Sequence, residues 1–107
     1  MRKIQLHEWD AKTAEGKSIT ENTITMLSIL LTNKKPEELP RGIDNFRLFS
    51  RLSYAFDKAE KEGVLVLEES DYAFLKKLIE SDLLSTWGMN KDIVKAVDNF
   101  LNAKEEK

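Results

Sequence analysis

The chain has 107 residues, no cysteine, a single histidine and a net charge of −2 at neutral pH. That length supports one hydrophobic core, since two would leave each half marginal on its own, and the absence of cysteine removes disulfides, thiolate nucleophiles and Cys-based zinc sites. The charge balance exerts no global pull towards nucleic acid or an anionic membrane, so any electrostatic partner must meet a local patch.

Hydrophobic residues at 41% and charged residues at 34% mark a globular rather than a disordered chain. MRKIQLHEWD meets His7, Glu8 and Asp10 where a signal peptide needs an apolar run. The longest apolar stretch, ITMLSILL, is far short of the ~20 residues that span a bilayer. A soluble, cytoplasmic protein that does not engage a membrane is therefore expected.

In chain order, KIQLHEW at 3–9 alternates enough for a short strand or hairpin with Ile4, Leu6 and Glu8 on one side, and AKTAEGKS reads as a turn around Gly16. A further strand is expected over 17–20. Thr20 is a plausible N-cap for a helix in which Ile24, Met26, Leu27, Leu30 and Leu31 cover almost half the circumference, the width of a central helix. Its Thr and Ile content pulls towards strand. KKPEELP, with two prolines, is a connection too short for a hinge between domains.

The next helix runs from Ile43 or Asp44 to Glu62 and stops at Gly63, the residue best suited to the left-handed conformation that ends a helix. Leu48, Phe49, Leu52, Ala55, Phe56 and Ala59 form its core face. VLVLE suits a strand that pairs with the N-terminal one. Ser70 or Asp71 then caps a helix burying Tyr72, Leu75, Leu78 and Ile79, with Lys76, Lys77 and Glu80 opposite. Gly88 interrupts LLSTWGMN, and Asn90 caps a last helix that buries Ile93, Val94, Val97, Phe100 and Leu101. The expected fold is α+β, a mainly α-helical single domain over 1–107. It has about four helices, a small two- or three-stranded β element from 3–9, 17–20 and 64–67, and a frayed tail at 102–107.

Chemistry-bearing constellations are few. His7 has no second His or Cys beside it, and a partly exposed strand histidine is favoured over a metal ligand or triad member. Glu68, Glu69 and Asp71 lack the spacing of a calcium loop and read as first-turn acids complementing the helix dipole. The four glycines are scattered singly, so no phosphate-cradling loop exists. No catalytic residue, metal site or cofactor is expected, and no small-molecule substrate is inferred.

Trp87 sits in a glycine-containing loop, where burial under the last helix is favoured over an interface role although both uses look alike in sequence. Trp9 has the same ambiguity. On the 43–62 helix, with Ile43 as zero, Arg47, Arg51 and Lys58 fall near about 40°, 80° and 60°, with Tyr54 at about 20° and Lys61 at zero, beside the apolar arc. A basic stripe holding an aromatic can track phosphates. Asp44, Asp57 and Glu62 cancel part of its potential, which favours a solvated or subunit-facing stripe over a nucleic-acid site. Arg47, Arg51, Tyr54, Lys58 and Trp87 are the candidate partner surface.

GKSIT, the apolar helix after it, and RGIDNFRLFSRLSYAFDKAEKEGVLVLEESDYAFLKKLIESDLLSTWG together resemble small proteins encoded among the virion-assembly genes of tailed phages. The shared pattern is a polar hairpin around Gly-Lys, a helix with spaced leucines and an R-L…A…G-x-L-x-L-E-x-x-D-Y-x-x-L-K passage, over the greater part of the chain. The resemblance implies a non-enzymatic assembly or accessory protein meeting other phage proteins, in the host cytoplasm or the virion, and carries no site residue across. The expected function is thus a protein-interaction module that binds a protein partner or itself. The alternatives are a nucleic-acid-binding regulator using the basic stripe and an inhibitor that binds a host protein.

Overall fold

A computed structural model describes residues 1–12, 14–33, 37 and 41–103. It is an α+β domain with four α-helices and two small antiparallel sheets of two strands each. The KKPEELP connection, apart from Glu37, and residues 104–107 of the tail lie outside the described residues.

The N-terminal extended run is two strands rather than one. Strand β1 (Arg2–Gln5) pairs with β4 (Val64–Leu67), whereas β2 (Glu8–Lys12) pairs with β3 (Ser18–Asn22) across the Gly16 turn. The break falls at His7, whose N–H donates to the Thr23 Oγ1 at 3.0 Å and whose carbonyl accepts from the Thr23 N–H at 3.2 Å. Thr23, completely buried, thus takes over the backbone groups of the residue where the chain changes sheets. Crossing that junction shifts the alternation, so Trp9, not Glu8, turns inward and is 5% exposed. Its indole N–H donates to the Glu21 carboxylate at 3.3 Å, which resolves Trp9 as a core residue with a satisfied polar handle.

Helix α1 (Thr23–Thr32) begins two residues later than the Thr20 cap would place it, because the chain stays extended through Asn22. The Asn22 side chain accepts from the Ile24 and Thr25 N–H groups, and the Thr25 hydroxyl accepts from the Asn22 N–H, a reciprocal capping box. Ile24, Met26, Leu27 and Leu30 are buried. Burial on that scale outweighs the strand preference of the β-branched residues, a tertiary override of local propensity.

Helix α2 (Ile43–Glu62) ends at Gly63, whose φ of 78° lies in the left-handed region and whose N–H returns to the Ala59 carbonyl. The chain reverses there into β4. Leu65 and Leu67 face inward with Ile4 of β1, while Val64 and Val66 on the opposite face are half-buried. Helix α3 (Glu69–Asp82) starts behind Glu68 with no side-chain cap; neither Ser70 nor Asp71 caps it, since both already lie within its first turn. A 3-10 turn (Ser85–Met89) leads to α4 (Lys91–Leu101), where the Asn90 side chain accepts from the Asp92 and Ile93 N–H groups as expected. Val94 is a correction to the α4 core face. It is exposed, whereas Ile93, Ala96, Val97 and Phe100 are buried.

Arg2 closes the domain. Its guanidinium donates through Nε and Nη2 to both oxygens of the Glu69 carboxylate at the start of α3, lies 4.5 Å from the centre of the Tyr72 ring and donates to the Ala103 carbonyl beyond α4. Ala103, placed by the sequence in the frayed tail, is therefore half-buried and tied to the first strand. The Tyr72 ring stacks on Phe100 at 4.9 Å, and its hydroxyl donates to the Phe100 and Leu101 carbonyls at the end of α4. Burial pushes the Tyr72 hydroxyl up from its ordinary value.

Three outcomes are expected. Asn22→Ala, which removes the α1 cap, costs about 1 kcal/mol in denaturant unfolding. Tyr72→Phe removes the hydroxyl donor from the Leu101 carbonyl and one of the donors to the Phe100 carbonyl, which keeps the Ala103 N–H, and costs about 1 kcal/mol in the same assay. The hydrogen bonds from Arg2 hold the Glu69 carboxyl below its ordinary 4.5, so the folded state favours the ionised form. That contribution is fully present above 4.5 and is lost as pH falls through the lowered folded value. A melting-temperature series from pH 6 to pH 2 should accordingly fall less steeply in Glu69→Gln than in the parent chain.

Candidate functional site

Helix α2 is amphipathic, but its outward side is not simply wet. Leu52, Phe56 and Ala59 are buried and Leu48, Phe49 and Ala55 half-buried, the six core positions expected. Ile43, Phe46 and Tyr54 are 59%, 71% and 72% exposed. Spacings of three and eight residues put them along one outward strip of the helix, with Ser50 between them and Arg47 at the edge. Scattered apolar residues on a surface carry no message, whereas three large ones in line beside a cation form a patch.

The basic stripe divides on inspection. Arg51 reaches across to α3, where its Nε and Nη2 donate to the two carboxylate oxygens of Asp71 at 3.1 and 2.9 Å. The Asp71 side chain is 5% exposed against 48% for Arg51. Asp71 is therefore no solvated first-turn acid. It is a buried carboxylate whose charge is met by a two-pronged guanidinium, the geometry in which Arg pairs best. Those hydrogen bonds in turn raise the Arg51 pKa from its ordinary value, with Glu68 adding attraction. Arg51 is an inter-helix tie, while Arg47 and Lys58 are exposed and make no ion pair among the described residues.

Beside the stripe runs an open groove of about 470 Å³. Ser50, Arg51, Tyr54, Ala55 and Lys58 of α2 line one side; Val64, Val66 and Leu67 of β4, then Glu68 and Asp71, line the other, with Met1 at the margin. The structure thus gathers three of the five candidate residues, Arg51, Tyr54 and Lys58, around one concavity, and leaves Arg47 nearby on the same helix. Trp87 is elsewhere. It is half-buried, packs against the core and lines a smaller apolar cleft with Leu83, Ile93, Val94 and Val97. It does not join the α2 surface.

Sequence reasoning passed over Ile43 and Phe46, although a signal was there: both are large apolar residues on α2 lying outside the arc of its core face. Asp71 carried no such signal, because its partner is twenty residues away on another helix. His7 lies at the junction between β1 and β2 rather than within a strand, half-buried, with its Nε2 3.3 Å from Asp92 Oδ1 and its ring 6.1 Å from Trp9. Among the described residues no group of three or more His, Asp or Glu side chains is placed to hold a metal ion. No helix among them is long and apolar enough to cross a membrane.

The two halves of the stripe should respond differently to mutation. Arg51→Ala strands a buried carboxylate and lowers the melting temperature clearly. Arg47→Ala, at an exposed position with no pair to lose, leaves it within the scatter of surface substitutions. Combining Arg51→Ala with Asp71→Asn, which removes the stranded charge, should recover part of the loss in a double-mutant cycle. No protein-family model matches the chain, and no curated protein or solved structure matches it either.

Proposed function

We propose that the chain is a non-enzymatic protein-interaction module whose contact surface is the outward side of α2. The observation carrying this reading is the exposed line of Ile43, Phe46 and Tyr54 flanked by Arg47 and Lys58. Aromatic side chains with an arginine are the composition that dominates binding energy at protein interfaces. A small accessory or assembly factor of the phage type, as the resemblance implies, is the form of module favoured. A host-directed inhibitor would use the same surface.

The nucleic-acid alternative draws less support from the same residues. With Arg51 committed to Asp71, the stripe retains Arg47, Lys58 and Lys61, interrupted by Asp57 and Glu62, a thin row for tracking a phosphate backbone.

A photo-crosslinking residue at position 46, compared with one at exposed position 77 on α3, tests the proposal. Crosslinks from position 46 to a protein partner or to a second copy, lost on Ile43→Ser with Tyr54→Ser, are expected. Absence of any protein crosslink from position 46, together with sedimentation as a monomer at high concentration, overturns it. Retained low-salt binding of a DNA or RNA duplex that disappears with Arg47→Glu would move the function to the nucleic-acid reading.

A further inference from the structure

The β1–β4 ladder has a defined parity, and parity decides what its edges offer. The Leu6 N–H donates to the Gly63 carbonyl at 3.1 Å. In the register that sets Ile4 against Leu65 and Gln5 against Val64, this makes 6/63 a hydrogen-bonded pair. Such pairs alternate along an antiparallel ladder, so 4/65 and 2/67 are hydrogen-bonded and 5/64 and 3/66 are not. The N–H and C=O groups of Val64 and Val66 therefore point away from β1, to the outer edge of β4. Gln5 is an independent check on the parity, since its carbonyl also points away from the ladder and accepts from the Asn99 side chain of α4 at 2.7 Å.

The two edges differ. On β1 the Gln5 carbonyl is occupied by Asn99, whereas on β4 the backbone groups of Val64 and Val66 have no partner among the described residues. Val64 and Val66 are also lining residues of the groove beside α2. Natural edge strands are commonly blunted by a charge, a proline or a bulge, and Val-Leu-Val-Leu has none of these. Half-buried Val64 and Val66 also give the strand an apolar outer face.

Resting on the reading of the chain as an interaction module, we infer that the groove between β4 and α2 binds an extended peptide segment of a protein partner, added as a third strand at the β4 edge. Four main-chain groups, from Val64 and Val66, set the register. Alternate side chains of the peptide meet the valines and the Tyr54–Ala55 wall. Electrostatics narrows the peptide further. Asp71 neutralises Arg51, which leaves Lys58 as a lining cation with no ion pair among the described residues. The segment accordingly carries an acidic residue beside Lys58, in an alternating apolar sequence without proline at the bonded positions. A second copy fits less well, because each copy would bring its own α2 wall to the same edge.

Panning a displayed library of random decamers against the full chain tests this. Enriched peptides should alternate apolar residues around an Asp or Glu. Binding should slow amide exchange at Val64 and Val66 and leave Leu65 and Leu67, already bonded to β1, unchanged. N-methylation at alternate peptide residues should weaken binding by roughly tenfold, and at the intervening residues little. Val66→Pro removes an N–H that the fold does not use and should abolish binding, while Lys58→Glu should reverse the acidic preference.

No enrichment, protection confined to other amides, or equal binding to Val66→Pro overturns the inference. So does sedimentation showing that Val66→Pro converts a dimer to monomer, which assigns the edge to a second copy. Position-46 crosslinks that persist in Val66→Pro would leave the interaction function standing without strand addition. Peptide binding at β4 without any position-46 crosslink would leave the groove standing and remove the α2 contact surface.

Discussion

The antiparallel pairing of β1 with β4 is the constraint from which the rest of the arrangement follows. It joins residues 2–5 to residues 64–67, so the first strand cannot be placed until most of the chain exists. Once formed, it presents Ile4, Leu65 and Leu67 to the helices as one apolar face, and these residues belong to the single buried cluster that includes α1, α3 and α4. Two strands alone would be marginal in water; helices packed on one face are what make such a sheet stable. Arg2 then binds the ladder to the start of α3, the Tyr72 ring and the end of α4 through one side chain.

Polar groups inside this fold are few and are placed where elements must be held in a particular relation. Thr23 holds the point where the chain leaves one sheet for the other, Tyr72 closes the end of α4, and Asp71 ties α3 to α2 through Arg51. Each joins its own element to another one. Breaking such a tie costs more than its net worth suggests, since the abandoned partner stays away from water.

That use of polar residues also separates architecture from surface on α2. Arg51 and Arg47 are one helical turn apart and carry the same charge, yet one is committed to the fold and the other is free to meet a partner. The groove owes its form to the first commitment: the Arg51–Asp71 tie forms one part of its lining, and the reversal at Gly63 sets α2 alongside β4. The exposed apolar line and the open strand edge consequently adjoin on one side of the molecule.

Much of this was legible in the sequence. Periodicity with cap residues determined α2 and its end at Gly63, the Asn90 start of α4, the Gly16 hairpin and the α+β class, because turn chemistry and 3.6-residue spacing are local properties. The partnership of VLVL with the N-terminal strand was also readable from composition. What only the tertiary structure decided depends on residues distant in the chain. The split at His7 required Thr23, the continuation of β3 to Asn22 required β2, and the different fates of Arg47 and Arg51 required Asp71. Ionic pairing and strand-edge vacancy are relations between elements, and a linear pattern records which groups a residue carries but not which of them another element will claim.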